Sequence, residues 1–188
     1  MVRTSTAAAR VVAGLMLVIA VGAAVATPRA RAQSAVPEDE AKAAFLYNFA
    51  KFVEWPGEAF AGSDGFVVGV LGDDAFAAVV ERVLHGKLVR DRPLTVRRVT
   101  RAADLGGCHV LFIGDGRQVG DVLQALAARP VLTVGAREEF AAQGGMIGFL
   151  VDNQRLRFEV NLDAAERANL RISSQLLKLA TRVIRHEG

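Results

Sequence analysis

Residues 66–84, FVVGVLGDDAFAAVVERVL, hold the reading that decides the fold. Phe66–Leu71 is an unbroken apolar run without polar alternation, which fits a strand covered on both faces. Gly72-Asp73-Asp74 then supplies a tight turn and a helix N-cap. Behind it, Phe76, Val79, Val80, Val83 and Leu84 recur at helical spacing and give an amphipathic helix over Ala75–Leu84. Strand, turn and helix make the first half of a βαβ unit, and the pattern repeats downstream. Leu94–Val99 alternates with period two, Cys108–Ile113 is another apolar strand, and Val119–Ala128 is a second helix. Val131–Val134 then reads as a short strand and Glu138–Ala142 as a short helix. Apolar strands separated by amphipathic helices predict a single α/β domain with a mainly parallel sheet and helices on both faces.

The C-terminal part departs from that rhythm. Met146–Val151, a turn at Asp152-Asn153-Gln154, and Arg155–Val160 read as an antiparallel β-hairpin at the sheet edge. In its second arm Leu156, Phe158 and Val160 alternate with Arg157, Glu159 and Asn161, which predicts one buried face and one wet face. Two C-terminal helices follow. Asp163 with Glu166 resembles a capping box, and Ser173 or Ser174 can cap a helix carrying Leu176, Leu177, Ala180, Val183 and Ile184.

On the N-terminal side lies AFLYNFAKFVEW, residues 44–55, which includes the only Tyr and the only Trp of the chain. The spacing predicts a helix from Glu40 to Trp55, with Phe45, Phe49 and Phe52 on one face and Tyr47, Lys51 and Glu54 opposite. Pro56 and Gly57 stop it. Residues 33–39 read as a flexible lead-in, and residues 40–188 as the domain. Residues 1–32 carry the marks of a secretory signal: Arg3 and Arg10, an apolar run from Val11 to Ala26, and small residues at Ala30 and Ala32. Cleavage there would leave Gln33 first, in an exported chain. It would also remove four arginines and no acid, turning 23 bases against 20 acids into near balance. A general affinity for nucleic acid or anionic membrane is therefore not expected. The single Cys108 cannot form an internal disulfide and fits a small buried hydrophobe.

The search for chemistry yields little. The turns at Gly72-Asp73 and Gly114-Asp115 sit where doubly wound sheets bind ligands, so Gly72, Asp73, Gly114 and Asp115 form a candidate ligand cleft. Neither turn is a phosphate loop, and acidic residues there disfavour an anion. His85, His109 and His186 have no metal-ligand spacing, and no hydrolase elbow, zinc helix or nucleotide-binding loop appears. The expectation is a non-enzyme with no cofactor. Lys87 to Arg101 holds six basic residues against Asp91, and reads either as a solvated edge or as a docking patch for an acidic partner. Candidate partner contacts are Tyr47, Trp55, Arg157, Glu159, Leu170 and Arg171, although Tyr47 and Trp55, beside an apolar stripe, read first as packed core residues.

Several phrases taken together resemble the YfiR family of exported bacterial proteins: AAFLYNFAKFVEWP (43–56), VGVLGDDAF (68–76), HVLFIG (109–114), VLTVG (131–135), GGMIGFLV (144–151) and RFEVNLDAAERANLRISSQLLKLA (157–180). The resemblance implies a periplasmic, non-enzymatic regulator. It would bind the periplasmic region of an inner-membrane diguanylate cyclase such as YfiN, or another sensor, and hold it inactive, lowering cyclic-di-GMP and biofilm formation. It further implies release by an outer-membrane lipoprotein. The family's type member responds to redox through cysteine pairs, which Cys108 alone cannot provide. A homodimer stays open, as does a different reading from the fold itself: a small-ligand receptor whose ligand state controls a membrane partner.

Overall fold

The structure, a computed structural model, describes residues 38–62, 64–114 and 119–185. The expected signal segment, nearly all of the lead-in, Asp115 and His186 lie outside the described residues. Helix α1 spans Glu38–Phe52 and passes directly into strand β1, Val53–Glu54. Strand β2 (Phe66–Leu71), helix α2 (Asp74–Leu84), strands β3 (Leu88–Val89) and β4 (Arg92–Val99), and strand β5 (Val110–Ile113) follow. Next come α3 (Val119–Leu126), β6 (Leu132–Gly135), β7 (Ile147–Asp152) and β8 (Arg155–Asn161). The chain closes with α4 (Leu162–Arg167), β9 (Arg171–Ile172), α5 (Ser174–Leu177) and β10 (Arg182–Ile184).

Eight strands form one sheet in the order β10-β8-β7-β6-β5-β2-β4-β3, while β1 and β9 pair as a separate ribbon. From β4 to β7 all neighbours are parallel. The hairpin β7–β8 is antiparallel, and its two-residue turn places Asn153 at φ 48° and Gln154 at φ 60°, the left-handed pair that matches strand twist. The expected single α/β domain, with its mainly parallel sheet and antiparallel hairpin, is therefore present. Its core lies on two faces of the sheet. One layer joins α1, α2, α4 and α5 to Val68, Val70, Phe112 and Val134, and the other joins α3 to Val67, Leu71, Leu111 and Ile113. Alternate residues of β2 and β5 thus serve opposite layers, which is why these strands are apolar at every position.

Helix α1 covers the hairpin end. The Phe49 ring lies 5.1 Å from Phe158 and 5.7 Å from Phe149, and Phe45 contacts the same two rings. Four local expectations need correction. The first helix ends at Phe52, because Val53 and Glu54 are drawn into the ribbon with β9. Residues 137–144 form turns, not a helix, since the Phe140 ring is wholly buried against Gly135 and Gly145. Asn161, not Asp163, caps α4 by accepting from Ala164 N at 2.9 Å. Ser173 caps the last helix as expected, but that helix stops at Leu177; Thr181 N donates to Phe158 O, and the chain continues as β10 beside β8.

The wet face of the second hairpin arm is also partly covered. Glu159 is 7% exposed and Asn161 4%. Arg182 Nε and Nη2 donate to Glu159 Oε2 at 2.9 and 2.6 Å, and Asn161 Nδ2 donates to Ala141 O at 2.8 Å. The loop before β7 and the added strand β10 cover what alternation alone marks as solvent-facing.

Candidate functional site

A concavity forms where β1 meets β9. Val53 pairs with Ile172 and Glu54 with Arg171, and Ser173 N donates to Phe52 O at 2.9 Å. The chain reaches β9 through a Schellman turn that ends α4. Asn169, at φ 55°, donates to Glu166 O at 3.0 Å, and Leu170 N donates to Ala165 O at 2.9 Å. On the other side, Pro56 ends β1 and starts a short 3-10 turn, Gly57–Phe60. Beside these two entries lies a groove of about 550 Å³ lined from the first segment by Glu54, Trp55, Pro56 and Glu58 and from the second by Glu166, Asn169, Leu170 and Arg171. A hollow of about 230 Å³ shares Glu166, Leu170 and Arg171 and extends to Leu177 and Arg185. Glu166 accepts from Arg185 at 2.7 Å and Glu54 stands beside its ribbon partner Arg171, which with Glu58 leaves the groove a net acidic rim.

Three of the predicted partner residues therefore meet in one place, with unequal surfaces. Arg171 is exposed, whereas Leu170 is 1% and Trp55 7% exposed. Trp55 is no free anchor: Nε1 donates to His109 O at 3.1 Å, and the ring stands edge-on to Phe66 at 5.1 Å. It serves as a wall. Arg157 is exposed on the hairpin, Glu159 is held by Arg182, and neither lines the groove. Tyr47 is half-buried on α1; its hydroxyl donates to Leu88 O at 3.1 Å, and the ammonium groups of Lys51 and Lys87 lie 5.4 and 5.0 Å from its ring centre.

The turns expected to form a ligand cleft are in contact with each other. Gly114 N donates to Leu71 O at 2.8 Å, and a side-chain carbon on Gly114 would lie 3.0 Å from Asp73 Cβ. Asp73 Oδ1 accepts from Phe76 N at 2.9 Å and so caps α2. Gly72 is exposed beside it. Among the described residues, no group of three His, Cys, Asp or Glu gathers to hold a metal ion. The basic run is largely engaged within the fold: Arg90 donates to Val53 O, Arg97 to Gly106 O, Arg98 to Glu81 and Arg101 to Asp104. Cys108 is buried, and burial pushes its thiol up, against the opposing pull of Arg97 and Arg129.

One residue that sequence reasoning passed over supports the groove from behind. His109 is 1% exposed and stacked between Phe60 and Phe66, with centroids at 4.6 and 4.8 Å. The Arg92 guanidinium covers the outer face of Phe60 at 4.4 Å. His109 Nδ1 accepts from Val67 N at 3.0 Å, so the neutral ring carries its proton on Nε2, which meets no hydrogen-bond partner among the described residues. A polar residue inside the run CHVLFI was the available signal. Burial pushes this imidazole below its ordinary value, the Ala59 backbone opposes that shift, and Arg92 adds to it.

The pH consequence has a definite sign. The unfolded chain takes up a proton near pH 6.5 that the folded ring resists, so the neutral-ring contribution is complete above that pH and is lost as pH falls below it. Urea unfolding across this range should show stability falling with acidification by up to ~1.4 kcal/mol per pH unit from this one proton. His109→Asn keeps an acceptor but cannot titrate, and should lose that part of the slope. Identical slopes in both proteins would remove His109 as its source.

Comparison with known proteins bears on the whole domain. A crystal structure of a conserved domain protein from Vibrio cholerae is similar at TM-score 0.50 and 11% identity, covering 78% of this chain and 60% of that one. A structure described as the ABC domain in complex with L-Trp from Streptococcus pneumonia is a looser likeness, at TM-score 0.43 and 11% identity over 63% of this chain and 55% of that one. This chain thus spans well under two thirds of either structure's length, and the first likeness bears on the fold alone. Among the described residues no helix is long and apolar enough to cross a membrane. A family described as YfiR/HmsC-like matches residues 39–181, from the first turn of α1 past the end of α5. Its members are periplasmic, non-catalytic regulators tied to diguanylate cyclase signalling. Because that match takes in the ribbon, the groove and nearly the whole sheet, the chain belongs to the YfiR/HmsC-like family.

Proposed function

We propose that this protein, exported to the periplasm, inhibits a membrane-bound diguanylate cyclase or a related sensor by binding its periplasmic region, with the β1–β9 groove as the contact surface. Family membership over residues 39–181 carries the reading. The groove is the favoured surface because its lining joins apolar Trp55, Pro56 and Leu170 to the charged Glu54, Glu58 and Arg171, the mixture that protein interfaces use. An outer-membrane lipoprotein that competes for the same groove would relieve inhibition.

Deleting the gene should raise cyclic-di-GMP and surface attachment, and the wild-type gene should restore both. Arg171→Glu, made at an exposed position and checked for folding by circular dichroism because Glu54 stands opposite it, should fail to restore them and should weaken binding to the cognate periplasmic region by about 30-fold, a hot-spot effect near 2 kcal/mol. Arg157→Glu, on the hairpin away from the groove, serves as the matched charge control. Unchanged cyclic-di-GMP after deletion would defeat the regulator reading, and equal loss from both variants would defeat the groove.

A second reading, a small-ligand receptor, is favoured by one observation: 550 Å³ lies within the range of small-molecule sites. A ligand present at 100 times its Kd would add about 2.7 kcal/mol of stability. Thermal shifts with periplasmic metabolites, repeated on Arg171→Glu, separate a ligand in the groove from one at the Gly72–Gly114 turns.

A further inference from the structure

We infer that the outer edge of β4, from Leu94 to Val99, is a strand-addition site for an extended acidic segment of a partner protein. This surface is separate from the β1–β9 groove. Strand β3 covers only the start of β4: Leu88 faces Pro93, Val89 faces Arg92, and the last bond is Leu94 N to Lys87 O at 3.0 Å. That bond fixes the parity of the strand. Leu94 points its backbone groups away from β2, and by the two-residue repeat so do Val96 and Arg98. On their inner side residues 94–99 run in unbroken register with Phe66–Leu71 of β2. Among the described residues no strand pairs with Val96 or Arg98 on the outer side. Beyond Pro93, the edge has neither a proline nor a register break to blunt it, and a long straight edge of this kind is a template for another chain.

Two observations select the occupant. A shallow groove of about 300 Å³ runs beside the edge between the end of α2 and β4, with Leu84, Leu94 and Val96 as its apolar bed. The edge also carries an arginine on each face. Arg97 is exposed and donates to Gly106 O at 2.8 Å, a neutral acceptor, while the Asp104 carboxylate that feels its charge is already bound to Arg101. Arg98, on the opposite face, meets Glu81 at 3.1 Å. A second copy adding its own β4 would bring Arg97 and Arg98 of both copies onto one seam, directly opposite or on the diagonal, and like charges so close destabilise a strand pair. An acidic segment avoids this and gains the Arg97 charge, while the backbone of Val96 and Arg98 supplies the ladder.

The test uses the full chain and a synthetic peptide of about eight residues alternating Glu and Val, with a Lys-for-Glu peptide as counterpart. The Glu peptide should slow amide exchange at Val96 and Arg98 by at least about tenfold, and added salt should reverse the effect. Arg97→Glu should abolish that protection and transfer it to the Lys peptide. Val96→Pro removes one outward N–H from an edge position where proline is tolerated, and should weaken binding of the Glu peptide by about tenfold or more. Equal binding of both peptides, no protection by the Glu peptide, or indifference to both substitutions overturns the proposal. Protection that appears without peptide and grows with protein concentration assigns the edge to a second copy, and also overturns it. None of these outcomes bears on Arg171, so the groove reading stands or falls separately.

Discussion

Gly145→Ala is expected to cost the domain about 3 kcal/mol or more, at the upper end of what overpacking does, and to lower Tm by about 6–12 °C. The cause is the Phe140 ring, which two glycines hold by its opposite edges. A side-chain carbon on Gly145 would lie 2.1 Å from Phe140 Cε1 and 2.3 Å from Cδ1, and one on Gly135 would lie 2.4 Å from Cδ2. The ring cannot swing away, because Phe140 is 0% exposed and residues 137–145 wrap it in their own hydrogen bonds, including Gly145 N to Phe140 O at 3.0 Å. Phe140→Ala alone should cost ~3–5 kcal/mol as a large-to-small core change. The discriminating result is the double variant. With the ring gone, the Gly145 methyl enters the vacated space and should cost nothing further, so the two changes must be strongly non-additive. Additive losses in urea unfolding would show that the ring is not the obstacle.

That clamp marks the limit of what the sequence discloses. The turns, the parallel strands and the hairpin are local or periodic, and each is legible from FVVGVL, CHVLFI and the residues around Asn153-Gln154. Glu138–Ala142 looks helical because Glu, Ala and Phe are compatible with a helix, but burying one ring between Gly135 and Gly145 outweighs that local preference. The last strand is hidden for the same reason. Val183 and Ile184 fit a helical face, yet pairing with Val160 and Asn161 takes them into the sheet. The groove escapes because it depends on Val53 meeting Ile172, a register between segments far apart in the chain. A sole Trp beside an apolar stripe reads as packed, and Trp55 is buried, but its convergence with Leu170 and Arg171 on one groove, and the burial of Leu170, were not legible. Glu159 was misplaced because alternation cannot anticipate the strand that later covers it.

Trp55 carries the second large expectation, because it belongs to both the core and the groove wall. Trp55→Ala should destabilise the domain by ~3–5 kcal/mol, the cost of emptying an aromatic site. The ring lost is the one edge-on to Phe66 at 5.1 Å, and Phe66 in turn stacks on His109. Trp55→Phe separates packing from hydrogen bonding. It keeps an aromatic ring and forfeits the indole N–H bond to His109 O, but that carbonyl still accepts from Leu132 N at 2.8 Å and is not orphaned. Its cost should therefore stay near the low end of a hydrogen bond's worth, about 0.5–1.5 kcal/mol. Because Trp55 is the chain's sole tryptophan, unfolding of the Ala and Phe variants must be followed by circular dichroism, while the wild type reports through its own fluorescence. If the partner reads the groove's shape, Trp55→Phe should still repress cyclic-di-GMP. Trp55→Ala should not, even at temperatures where it stays folded, because Pro56 and Glu58 lose the wall that positions them. Full repression by folded Trp55→Ala would place the regulatory contact elsewhere on the domain, and a stability loss below ~1 kcal/mol would contradict the packing around Phe66.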